Sequence, residues 1–130
     1  MDLKCKNLML GNWVKTDITE PQRVAAVTGE NQVMLAYNDV YSDSEIEPVP
    51  LTDDFFERNG WKRNGAKYTH PDITGEIICW GNGKYIAGFQ GNQSPHKYLC
   101  SFEIHFVHQL QQIFSLCGIE VELDVFANNK

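Results

Sequence analysis

His105 and His108 stand three residues apart near the end of the sequence, a spacing that shares one helical face and can hold a metal ion once a third ligand arrives. His70, His96 and the acidic residues are the remaining sources of that ligand, and none is spaced to supply it. The pair therefore reads as structural or solvent-facing, and no metal or other cofactor is expected. With a carboxylate, His108 could instead act as the base of a small enzyme. No G-x-S-x-G elbow accompanies it, and Cys117 falls on an apolar helical stripe, so a nucleophile is not supplied.

The other chemistry-bearing residues read more plainly. Cys5, Cys79, Cys100 and Cys117 are dispersed, with no C-x-x-C pair, and behave as buried reduced thiols. Asp43-Ser44-Glu45 with Glu47 lacks the turn glycine and terminal Glu of a calcium loop and reads as a solvated acidic connection. Gly81-Asn82-Gly83-Lys84 has no helix after it, so it is a hairpin turn and not a phosphate cradle. Trp13, Trp61 and Trp80, with Tyr68 and Tyr85, could stack bases or sugars, yet a chain this small needs its aromatics for the core. One Trp at a pocket rim is compatible with both readings.

These residues must be positioned by 130 residues, enough for one compact domain over 1–130, or a pair of subdomains at 1–47 (β-rich) and 48–130. Eleven Lys and Arg against 17 Asp and Glu give a net charge of −6, which disfavours sequence-independent nucleic-acid binding. No apolar run reaches the length of a membrane span, and Met1-Asp2-Leu3-Lys4-Cys5-Lys6 does not start like a signal peptide. The expectation is a cytoplasmic protein without membrane or direct nucleic-acid contact.

The positioning elements follow from period and punctuation. Short strands before residue 38 (Leu8–Leu10, Trp13-Val14, Gln22–Thr28, Gln32–Tyr37) suggest a small bent antiparallel sheet or partial barrel, followed by a polar connection at Asn38–Glu47. Pro48-Val49-Pro50 forces extension. Thr52 is an N-cap, Asp53 and Asp54 suit a first turn, and Gly60 suits a stop, predicting a short helix over Asp53–Asn59. Asn64-Gly65 and Gly81-Asn82-Gly83 predict two hairpins of a meander that continues through Tyr98–Ile104.

Phe106, Leu110, Ile113, Phe114 and Cys117 then recur at helical spacing until Gly118. The long helix should pack on one face of the meander. Ile119, Val121, Leu123 and Val125 alternate with Glu120, Glu122 and Asp124, predicting a final strand, with Ala127–Lys130 as a frayed tail. An unpaired edge on that strand would favour a homodimer. The fold class is α+β.

Three stretches, Leu8-Met9-Leu10-Gly11-Asn12-Trp13-Val14, Pro48-Val49-Pro50-Leu51-Thr52 with Phe55 and Asn59-Gly60-Trp61, and Val107-His108-Gln109-Leu110-Gln111, resemble a group of uncharacterised short proteins of gut Bacteroidetes and their phages and prophages. Val49, Trp61 and Phe106 stand where that pattern has Ile, Phe and Tyr. The resemblance implies a phage-related origin and a cytosolic setting, and carries no catalytic or binding residue with it.

At the entry of the long helix, His108 and Gln111 would share a face beside the apolar stripe, able to bond neighbouring backbone or line a pocket. The function expected is a non-catalytic binding protein that sequesters a small signalling ligand or a host protein, for instance in countering host defence. His108, Gln111, Trp13, Trp61 and Trp80 are its candidate ligand contacts. A small enzyme using His108 with a carboxylate, and an accessory protein of phage DNA metabolism, are the alternatives.

Overall fold

The computed structural model describes residues 7–16, 20–29, 31–36, 39–73, 75–89 and 100–126. The chain is α+β, with two antiparallel sheets of five strands each and two helices among the described residues. It divides into two compact units, Met1–Val49 and Pro50–Lys130, with the break inside the Pro-Val-Pro segment.

In the first unit, β1 (Trp13–Thr16), β2 (Gln22–Gly29), β3 (Gln32–Leu35), β4 (Val40–Ser42) and β5 (Ile46–Pro48) form a sheet of order β4-β3-β2-β1-β5. The two edge strands are consecutive in sequence, joined by three residues. A flat sheet would hold its edges about 19 Å apart. The Ser42–Glu45 turn, closed by Glu45 N–H donating to the Ser42 carbonyl at 3.0 Å, brings those Cα atoms within about 7 Å.

The sheet must therefore curl towards a barrel, helped by register shifts along β2. Leu8, Val14, Val24, Val33, Leu35 and Ile46 fill its interior. Leu8–Leu10 is not a strand, because the Asn12 side chain accepts from Met9 N–H at 2.8 Å and folds the segment into a turn. Asn38–Glu47 is likewise more than a connection, since its β-favouring Val40-Tyr41 and Ile46 enter the sheet.

The second unit starts with α1 (Asp53–Arg58), whose Thr52 Oγ1 accepts from Phe55 N–H at 3.1 Å. Gly60, at φ +88°, ends it: Gly60 N–H donates to Glu57 O, and Trp61 N–H donates to Phe56 O at 3.0 Å. The rings of Phe56 and Trp61 then meet edge to face at 5.7 Å, the apolar contact that belongs with this helix end.

Five strands follow as a plain meander: β6 (Lys62–Asn64), β7 (Lys67–Thr69), β8 (Gly75–Gly81), β9 (Lys84–Phe89) and β10 (Cys100–Ile104). The β8–β9 turn is Asn82-Gly83 with both φ positive, the type I′ geometry. In the β6–β7 hairpin Asn64 pairs with Lys67, so the loop is Gly65-Ala66, one residue later than the Asn-Gly pair predicts. Gly91–Pro95 and Tyr98 lie outside the described residues.

α2 (Val107–Cys117) closes the unit and ends at Gly118, φ +71°. Its core stripe is Val107, Leu110, Ile113, Phe114 and Cys117. One face of the sheet is buried, carrying Tyr68, Ile77, Tyr85, Ala87 and Ile104. The other presents ion pairs, Lys67–Glu76 at 3.1 Å and Lys84–Glu103 at 3.3 Å, around the half-buried pair Ile78 and Ile86.

The final strand does not form. Ile119–Phe126 enters no β-ladder, although its alternation survives as burial, with Leu123 at 2% exposure and Glu120, Glu122 and Asp124 exposed. Side chains of α1 hold its backbone in place of a strand. Without a ladder there is no edge strand here, so the edge-pairing route to a homodimer loses its basis. The expected tail, Ala127–Lys130, lies outside the described residues.

Candidate functional site

His108 occupies the first turn of α2 at 5% exposure. The helix begins where it does because Gln109 reaches back: its Oε1 accepts from the N–H groups of His105 (2.8 Å) and Phe106 (3.1 Å). This fixes His105 outside the helix, so the two imidazoles do not form the expected i,i+3 helical pair. His105 instead meets Glu103 at 2.9 Å, and that bond, with Lys84, holds the Glu103 carboxyl below its ordinary range.

The His108 ring stacks on Phe106, with centroids 6.1 Å apart and planes 10° from parallel. Its Nδ1 is buried without a hydrogen-bond partner. Burial pushes its pKa down to about 4. His108 is therefore a neutral imidazole with one unused polar atom in apolar surroundings. That group can hydrogen-bond a ligand.

The other expected contacts differ in their exposure. Gln111 is half-buried on α2. Trp61 is a core residue, 3% exposed, packed against Phe56, His70 and Phe114. Trp80 is 66% exposed beside the β8–β9 turn, with Lys84 Nζ 5.6 Å from its ring centre. Trp13 belongs to the first unit, where it is buried and the Arg23 guanidinium lies 4.9 Å from its ring centre. Within the second unit the structure places Trp61 in the core and Trp80 at a hairpin end.

A second polar group was not legible as a motif. Asp53, the first residue of α1, accepts at Oδ1 from the Tyr85 hydroxyl (2.8 Å) and Cys79 Sγ (3.6 Å). At Oδ2 it accepts from Arg63 Nη1 (3.2 Å). Tyr85, Cys79 and Arg63 together hold the Asp53 carboxyl below its ordinary range, against a smaller opposing effect of burial than the Tyr85 bond. Burial, then the Asp53 bond, pushes the Tyr85 phenol well up, and burial raises Tyr68. Both remain neutral hydroxyl donors at physiological pH.

The Tyr68 hydroxyl is buried without a hydrogen-bond partner, and the Arg63 guanidinium lies 5.6 Å from its ring centre. The five residues are scattered from 53 to 85. The signal that joins four of them is hairpin register: Arg63 opposite Tyr68 and Cys79 opposite Tyr85 lie on one face of the sheet. Cys79 is thus a half-buried polar partner and not a simple core thiol, while Cys117 is a buried one. Cys5 and His96 lie outside the described residues.

Among the described residues no three His, Cys, Asp or Glu side chains gather as a metal site, and no helix is long and apolar enough to cross a membrane. Comparison of the chain with protein-family models, with curated proteins and with solved structures gives no match.

Proposed function

We propose that this chain is a non-catalytic binding protein of phage or prophage origin, acting in the host cytoplasm to sequester a small signalling ligand, with His108 as the polar anchor of the site. The carrying observation is the His108 imidazole, 5% exposed, with Nδ1 unpartnered. A buried polar atom left without a partner costs about 1–3 kcal/mol, and a bound ligand recovers that cost. The lowering of the His108 pKa by burial supports binding over the acid–base alternative, because a catalytic carboxylate beside the ring would act in the opposite direction. The phage setting rests on the three-stretch resemblance alone.

The test is equilibrium dialysis of the pure protein against a small-molecule extract of bacterial cells, read by mass spectrometry. One or a few compounds should be enriched by the native chain and not by His108→Phe, with circular dichroism showing that the variant folds. Equal retention by both chains, or no enrichment by either, would reject the reading.

A further inference from the structure

The segment after α2 has the apolar–acidic alternation of a strand and joins neither sheet. It is held by the C-terminal end of α1. The Asn59 amide donates Nδ2–H to the Asp124 carbonyl at 3.0 Å and accepts the Asp124 N–H on Oδ1 at 2.8 Å. Arg58 Nη2 donates to the Val125 carbonyl at 3.3 Å. Leu123 is 2% exposed, while Glu122 and Asp124 on either side of it face solvent.

An amide that both donates to and accepts from the backbone of one residue engages it as a neighbouring strand would. Together with a buried side chain at an alternate position, this is how extended peptides are recognised: main-chain bonds give affinity, and alternate side chains give selectivity. We infer that the end of α1 is a receptor surface for an extended apolar–acidic peptide, filled in cis by residues 120–126 and able to take the same segment from a second copy of this chain.

A second copy is the occupant because the surface already fits this sequence. The bonds from Asn59 and Arg58, and the site of Leu123, are identical whether the segment arrives from its own chain or from another, the condition for exchange between protomers. Exchange also avoids a problem of direct strand pairing, in which two such segments would set carboxylates face to face. Here Glu120, Glu122 and Asp124 stay in solvent. The start of the segment stays fixed, since Ile119 N–H donates to Phe114 O at 2.8 Å. Opening therefore falls on the residues after Ile119.

The test uses the full chain and a fluorescein-labelled peptide of residues 118–126 as the second copy's segment. Leu123→Asp unseats the chain's own segment and leaves the surface open. Anisotropy should show saturable binding to Leu123→Asp at least tenfold tighter than to the native chain, with Asn59→Ala added to Leu123→Asp abolishing it. A folded Leu123→Asp chain that fails to bind the peptide overturns the proposal.

Hydrogen exchange gives a second readout that needs no unfolded-prone variant. In Asn59→Ala, amides of residues 122–126 should exchange at least tenfold faster while those of α2 stay unchanged. Segment and α2 amides that accelerate together would mean the segment opens only when the unit unfolds, and would equally overturn the proposal.

Discussion

The Tyr85 hydroxyl donates to Asp53 Oδ1 across 2.8 Å, tying the first residue of α1 to a strand 32 positions later. The bond is made from a phenol that is 3% exposed to a carboxylate that is also bonded by Arg63 and Cys79. It fixes where the short helix meets the sheet, and so the placement of Phe56 over Tyr68 and Tyr85.

Tyr85→Phe should therefore cost about 1.5–3 kcal/mol, the range for a hydrogen bond to a charged group, read from urea denaturation at pH 7. Asp53→Ala should cost more, since it takes the acceptor from Tyr85, Cys79 and Arg63 and removes a carboxylate from the positive end of α1. Because the folded Asp53 pKa is lowered, its stabilising contribution is full above the unfolded value and is lost as pH falls through the folded one. Asp53→Asn should remove that part of the acid sensitivity. An unchanged urea midpoint for Tyr85→Phe would mean the bond contributes nothing net.

Local signals in this sequence carry their elements, and long-range pairing overrides them where the two differ. Thr52, Asp53 and Gly60 carry the limits of α1 because caps act within four residues. Asn82-Gly83 carries its turn for the same reason. The Asn64-Gly65 pair misplaces its loop by one residue, because the strand pairing of Asn64 with Lys67 decides the register.

Residues 119–125 have a strand's pattern but no strand's neighbour, and pattern alone cannot reveal that an asparagine side chain takes the neighbour's place. The same limit hides the Asp53 group, whose members meet only after three hairpins have formed. His108 is a mixed case. Its place at the helix entry was legible, while its burial and its separation from the His105 pairing follow from Gln109 capping the helix behind it.

His108 gives the chain a pH dependence of definite sign. The folded pKa of about 4 lies below the usual unfolded value of 6.5, so the unfolded chain binds more protons between them. Stability should fall as pH drops from about 6.5 towards 4, by on the order of 3 kcal/mol from this group, and level off below. His108→Leu should flatten that part of the profile. Urea midpoints at pH 7.0, 5.5 and 4.5 for both chains decide it, and parallel profiles would refute it.

Gly60 combines a left-handed backbone with a close neighbour for an added methyl group. Its φ of +88° is one that L residues rarely adopt, and a Cβ there would lie 3.3 Å from His70 Nε2. Gly60→Ala should cost at least about 1 kcal/mol, lowering the thermal midpoint by a few degrees. Adding His70→Ala should recover the steric part of this loss and leave the backbone part. Full recovery would show that the ring contact, and not φ, is the constraint.

The two aromatic residues Phe56 and Trp80 should separate core from surface. Phe56 is fully buried and its ring meets four others: Phe55, Trp61, Tyr68 and Tyr85, at centroid distances of 5.6, 5.7, 5.2 and 4.9 Å. These partners come from α1, the helix stop, β7 and β9, so one ring joins the helix to the sheet. Phe56→Ala removes the buried area and leaves a void that rings fixed on separate strands cannot fill, a loss of about 3–5 kcal/mol. For a domain stabilised by about 5–15 kcal/mol, that is a large share and brings the chain near unfolding at 37 °C. Trp80, two-thirds exposed, loses mainly the contact with Lys84, so Trp80→Ala should stay within about 1 kcal/mol of native stability. Urea denaturation of both variants, followed by far-UV circular dichroism, gives the comparison. A loss at Trp80 approaching that at Phe56 would show that the indole is covered by a second molecule in solution.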